Sequence, residues 1–76
     1  MDIEKLLIEL ASKSFRKDAS EITPETDIRK ELSGKSIMML AFISAIENEL
    51  DVAIPMSQAN HLNTIQDFVN AVKEKL

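Results

Sequence analysis

From Ile37 to Ile46 the sequence carries no charged residue, and Ser44 is the only polar side chain in the run. The chain has 76 residues, so it forms one domain at most, residues 1–76, with a small core. A helix that is apolar all round is normally buried. A domain this small can hardly surround one. Either neighbours pack such a helix on two sides, or part of it stays exposed as a docking patch. One Gly and two Pro in the whole chain favour helices over a turn-rich β fold.

The apolar periodicity predicts three main helices. Residues 2–15 place Ile3, Leu6, Leu7, Leu10, Ser14 and Phe15 on one stripe, with Glu4, Lys5, Glu9, Ser12 and Lys13 opposite. Residues 36–50 put Met39, Phe42, Ile43, Ile46 and Leu50 on a core stripe, leaving Ile37, Met38, Leu40, Ala41 and Ala45 off it. Residues 64–76 start on Thr64-Ile65-Gln66-Asp67, a capping-box pattern with Asp in the Glu position. Their stripe is Ile65, Phe68, Val69, Val72 and Leu76. Between the second and last helices, Asp51–Pro55 reads as extended, because Pro55 biases Ile54 away from helix. Ser57 to about His61 makes one short helical segment. Residues 16–35 are a long connection with five basic and five acidic residues. A loop of that length needs anchors, and Ile22, Ile28 and Leu32 are the apolar ones. Thr23-Pro24-Glu25 opens a short turn. The expected fold is all-α: a small four-helix bundle of three main helices and one short one, with a long first loop.

Composition excludes several functions. There is no Cys and one His, His61, so thiolate metal sites, disulfides and a Ser-His-Asp triad have no residues to build them. No metal site and no catalytic residue is expected, and the chain is not expected to be an enzyme. A formal net charge of −4, with no Tyr or Trp, argues against nucleic-acid binding. No apolar stretch reaches membrane-spanning length and no signal peptide is evident, so a cytoplasmic monomer is expected.

The junction Ser33-Gly34-Lys35-Ser36 is the chemically suggestive stretch. Ser36 is placed to cap the second helix. A phosphodiester on Ser36 would face the positive end of the helix dipole and unpaired backbone N–H groups. Lys35 adds a cation beside it, and Gly34 supplies backbone freedom. Gly34-Lys35-Ser36 also matches the end of a phosphate-binding P-loop. That motif needs a Gly where Arg29 stands and a strand before it, and neither is present.

Over nearly its whole length the sequence resembles the acyl carrier protein family. The strongest parts are Asp27-Ile28-Arg29-Lys30-Glu31-Leu32-Ser33-Gly34-Lys35-Ser36-Ile37 and Ala45-Ile46-Glu47-Asn48-Glu49-Leu50-Asp51-Val52-Ala53-Ile54-Pro55. Leu62-Asn63-Thr64-Ile65-Gln66-Asp67 resembles the family's start of its last helix. The resemblance implies that Ser36, flanked by Lys35 and Gly34, receives 4′-phosphopantetheine from coenzyme A through a separate phosphopantetheinyl transferase. The terminal thiol of that arm would then hold acyl intermediates as thioesters for acyl-transfer and synthase enzymes of fatty-acid, polyketide or related biosynthesis. It further implies an acyl chain sheltered by Phe42, Ile43, Ile46, Ile54, Leu62, Ile65 and Phe68, residues that plain core packing also explains. Partner enzymes would dock on Ile37, Met38, Leu40, Ala41, Glu47 and Glu49. The chain departs from the family pattern in having Lys35 where an Asp is usual, Ile37 where a Leu is usual, and Met38 and Ala41 at usually acidic positions. Those departures point to a specialised member. Alternatives are a peptidyl or aminoacyl carrier, or a helical interaction module of the same fold with Ser36 unmodified.

Overall fold

A computed structural model describes residues 2–32 and 36–76. Among the described residues, four α-helices follow in order: α1 (Ile3–Phe15), α2 (Ser36–Leu50), α3 (Met56–Ala59) and α4 (Ile65–Lys75). α1 packs against both α2 and α4. The expected all-α bundle of three main helices and a short one is the fold observed.

Local chemistry sets most of the helix ends. Asp2 caps α1, its carboxylate accepting from the Lys5 N–H at 3.1 Å. Arg16, in the left-handed conformation with φ 56°, turns the chain out of that helix. α2 ends at Asp51, with φ 52°. Asp tolerates that conformation because its short polar side chain can bond locally. The box at the start of α4 forms as the sequence predicts. The Thr64 hydroxyl accepts from the Asp67 N–H at 3.1 Å, and the Asp67 carboxylate accepts from the N–H groups of Asn63 and Thr64 at 3.0 and 3.1 Å. Those two backbone donors hold the Asp67 carboxyl below its usual pKa, the Asn63 N–H contributing most.

The core is one cluster. Ile3, Leu7, Leu10, Ala11 and Phe15 of α1 meet Met39, Phe42, Ile43 and Ile46 of α2 and Ile65, Phe68, Val69 and Val72 of α4. The Phe42 ring lies between two others, 5.5 Å from Phe15 and 5.2 Å from Phe68, centroid to centroid. Edge-on and tilted pairs of this kind add to the gain from burial alone.

Three expectations need correction. Leu76 is not a core residue: it lies past the end of α4 and is 67% exposed. Leu50 is only half-buried, because it is the last residue of α2, where the stripe turns away from α1. The short helix is Met56–Ala59, one residue earlier than its expected start; it begins directly after Pro55, which cannot continue the preceding backbone hydrogen bonding. The first connection carries helical turns besides its expected anchors and turn. It contains a 3₁₀ turn at Ala19–Glu21 and a π-helical turn at Ile28–Leu32. The Asp18 carboxylate caps the former, accepting from the Ser20 N–H and hydroxyl. A reciprocal pair closes the latter: Asp27 accepts from the Lys30 N–H at 3.0 Å, and Glu31 accepts from the Asp27 N–H at 2.7 Å. Ile22 and Ile28 are buried as expected, and Leu32 is half-buried against the core. The Thr23–Thr26 turn forms too, with the buried Thr26 hydroxyl accepting from the Thr23 N–H at 2.8 Å.

Candidate attachment site

Ser36 is the first residue of α2. Gly34 and Lys35, the expected phosphate-side neighbours, lie outside the described residues, as does Ser33. α2 runs for 15 residues from Ser36, and its first-turn N–H groups have no partners within the helix. They and the aligned peptide dipoles give this end of α2 a positive potential that suits a phosphodiester. Lys35 precedes it in the chain and contributes a formal positive charge.

The segment leading towards this point is stitched to the far side of the molecule. Asp27 and Thr64 form an isolated antiparallel bridge. The Ile28 N–H donates to the Asn63 carbonyl at 2.8 Å, and the Ile65 N–H donates to the Thr26 carbonyl at 3.2 Å. Arg29 adds a side-chain clamp. Its Nη2 donates to the Ala59 carbonyl at 2.8 Å and the Leu62 carbonyl at 3.3 Å, and its Nε to Asn63 Oδ1 at 3.2 Å. The π-helical turn is thereby fixed to the α3–α4 junction. Nothing in the sequence signals this clamp, since its partners lie about 30 residues further on.

The second tie joins the last turn of α2 to the chain beyond it. Glu47 Oε2 accepts from the Ile54 N–H at 2.8 Å, joining α2 to the extended connector. Of the two acids expected to dock partners, Glu47 thus has a structural task. Glu49 is exposed. α3 sits between this tie and the Arg29 clamp.

The remaining expected residues fall into two sets. Phe42, Ile43, Ile46, Ile54, Ile65 and Phe68 are buried in the common core, and Leu62 is half-buried against it. The expected lining of an acyl chain is therefore contiguous with the packed interior. On the opposite side of α2, Ile37 is 72% exposed and Leu40 48% exposed, and Ala41 is exposed as well. Met38 is half-buried and packs on the core.

Together these features define a small helical bundle with a serine at the positive end of its second long helix. Comparison with known proteins agrees. The family model for the phosphopantetheine attachment site matches residues 5–72. The chain is 30% identical over 73 residues to the acyl carrier protein of Rickettsia canadensis (strain McKiel), covering 96% of this chain and 85% of that protein. It is 27% identical over 75 residues to the acyl carrier protein of Porphyromonas gingivalis (strain ATCC BAA-308 / W83), covering 99% and 96%. The chain belongs to the acyl carrier protein family, whose members carry a covalently attached 4′-phosphopantetheine and act as carriers rather than catalysts. Among the described residues, no helix is long and apolar enough to cross a membrane.

Proposed function

We propose that Ser36 is the attachment residue and that the chain carries acyl intermediates, as thioesters of the arm, in fatty-acid, polyketide or related biosynthesis. The supporting observation is the position of Ser36 as first residue of a 15-residue helix. The other described serines are placed differently. The Ser12 hydroxyl donates to the Lys17 carbonyl, and that of Ser20 to Asp18. Ser14 and Ser44 lie inside helices, and Ser57 is in a helix of only four residues.

In the loading step the Ser36 hydroxyl oxygen bonds to the coenzyme A phosphorus that bears pantetheine. The bond from that phosphorus to the bridging pyrophosphate oxygen breaks, adenosine 3′,5′-bisphosphate leaves, and the serine proton passes to a base of the transferase. The chain contributes a serine hydroxyl at a helix end whose potential favours the phosphodiester product. The arm supplies the thiol, and the buried residues between α2 and α4 offer apolar surface for an acyl chain.

The test is incubation with coenzyme A and a broad-range phosphopantetheinyl transferase, followed by intact mass measurement. The wild type gains one phosphopantetheine, and Ser36→Ala gains none while keeping its helical circular dichroism. A gain that persists in Ser36→Ala refutes the assignment.

A further inference from the structure

α3 is the helix that apolar packing holds least. α1, α2 and α4 each place four or five residues in the common core, whereas α3 has four residues in all and buries only Ala59. A helical segment that short is marginal without outside support. Its polar support comes from both flanks. Before it, the Ile54 N–H donates to Glu47 Oε2 at 2.8 Å. After it stands the Arg29 clamp, with Nη2 donating to the Ala59 and Leu62 carbonyls at 2.8 and 3.3 Å and Nε to Asn63 Oδ1 at 3.2 Å. Ala59 ends α3 and Leu62 lies just past it, where carbonyls have no partners within the helix. A planar guanidinium can serve all three acceptors at once. The interior behind these ties is full. Phe42, Ile46, Ile65 and Phe68 have no exposed surface, and Ile54 and Ala59 have 2% and 1%. An acyl chain enters among them only if a wall moves.

We propose that Arg29 sets the shortest acyl chain that the protein shelters: a chain enters by displacing α3, and displacing α3 breaks the Arg29 clamp. The inference rests on the readings that Ser36 bears the arm and that an acyl chain lies among the buried residues between α2 and α4. Arg29 acts through α3 and is therefore a positioning residue. It is exposed, so on release its guanidinium returns to water and no charge is left buried. Losing a hydrogen bond from a charged donor is offset by burying about two to four methylene groups. Shorter acyl groups stay in water with the clamp closed, and each further methylene favours entry. Glu47 holds the other flank of α3, but its partner Ile54 is itself a buried residue, so removing that tie disturbs the interior as well. The acceptors of Arg29 are backbone carbonyls and the exposed Asn63 amide. Substituting Arg29 therefore opens the clamp and leaves the apolar lining unchanged.

The probes are the acetyl, butanoyl, hexanoyl, octanoyl, decanoyl and dodecanoyl thioesters of coenzyme A. A broad-range phosphopantetheinyl transferase loads each acylated arm in one transfer, checked by intact mass, and melting is followed by far-ultraviolet circular dichroism. A chain sheltered only in the folded state stabilises that state. In the wild type the shortest acyl forms melt together, and the melting temperature rises with each step beyond a threshold length. Arg29→Ala melts lower in every form, and its rise begins about two to four carbons earlier, one or two steps of the series. Arg29→Lys keeps one donor and begins its rise one step earlier than the wild type; it carries the test if Arg29→Ala does not fold. A wild-type series flat to dodecanoyl also supports the inference if the Arg29 variant rises, since the threshold then lies beyond the series. A variant that melts lower in every form with the threshold unchanged overturns it, because Arg29 then only stabilises the fold. A wild-type rise already at butanoyl overturns it, because the clamp then offers no resistance. A flat series in both proteins overturns it, because no chain enters. In those three cases a mass gain that Ser36→Ala abolishes leaves Ser36 as the attachment site. No mass gain from coenzyme A itself refutes the attachment reading, and the inference with it.

Discussion

Truncating Phe42 separates the two faces of α2 energetically. The ring has no exposed surface and contacts Phe15 and Phe68 at 5.5 and 5.2 Å. Phe42→Ala removes a whole ring from a site that helices enclose on both sides, so the cavity cannot fill from solvent. The usual cost of such a change is about 3–5 kcal/mol, and two lost aromatic pairs place it at the upper end. A chain of this length is stable by about 4–11 kcal/mol at 0.05–0.15 kcal/mol per residue. Phe42→Ala is therefore close to unfolding outright, and Phe42→Leu is the informative variant. It keeps most of the apolar volume and costs about 1–2 kcal/mol. Urea unfolding followed by far-ultraviolet circular dichroism suits a chain without Trp or Tyr. With a slope of about 1 kcal/mol per M urea, the midpoint falls by about 1–2 M. Ile37→Ala, five residues earlier on the same helix but 72% exposed, changes stability by less than about 0.5 kcal/mol. A Phe42→Leu midpoint equal to that of the wild type, or an Ile37→Ala loss as large as that of Phe42→Leu, refutes the assignment of the faces.

Two further outcomes follow from the polar ties. Glu47→Ala removes the acceptor for the Ile54 N–H and is expected to cost about 1–2 kcal/mol in the same urea assay. Glu49→Ala, at an exposed site, costs less than about 0.5 kcal/mol; equal losses at the two positions contradict the structural role of Glu47. Asp67 has its carboxyl held below the usual carboxylate pKa by the Asn63 and Thr64 N–H groups. Its contribution to stability is thus complete above its unfolded pKa, about 4, and is lost as pH falls through the lower folded value. Melting temperature should drop with acidification, and Asp67→Asn should melt lower near neutral pH and lose less on acidification. An unchanged acid dependence in that variant contradicts the cap.

The parts of the fold read correctly from the sequence are those where local chemistry and periodicity agree. Thr64 and Asp67 cap a helix whose apolar stripe begins at once with Ile65, and no tertiary contact competes with that signal. Met39, Phe42, Ile43 and Ile46 repeat at helical spacing, so their burial follows from the pattern. Leu76 has the right spacing but lies beyond the last turn, where no neighbour covers it. The helical turn at Ile28–Leu32 was legible only in part. Asp27 and Glu31 do carry the reciprocal backbone-capping pattern, yet the turn is secured by Arg29 reaching residues 59–63, a contact that no local window contains. The role of Glu47 was hidden for the same reason: its partner is a backbone N–H on a connector whose path depends on Pro55 and the packing of Ile54. At the attachment site, the sequence already showed a serine at a helix start and an uncharged run after it. Which members of that run face water became visible only once α1 had claimed one side of α2.

The most direct test of the attachment site is to locate the arm within the protein after loading from coenzyme A. Trypsin cuts after Lys30 and Lys35, so Ser33 falls on the 31–35 peptide and Ser36 on the 36–73 peptide. Tandem mass spectrometry then distinguishes Ser36 from Ser44 and Ser57 within the longer peptide. The arm is expected on Ser36, with the 31–35 peptide unmodified; an arm on Ser33 or on any other serine contradicts the account.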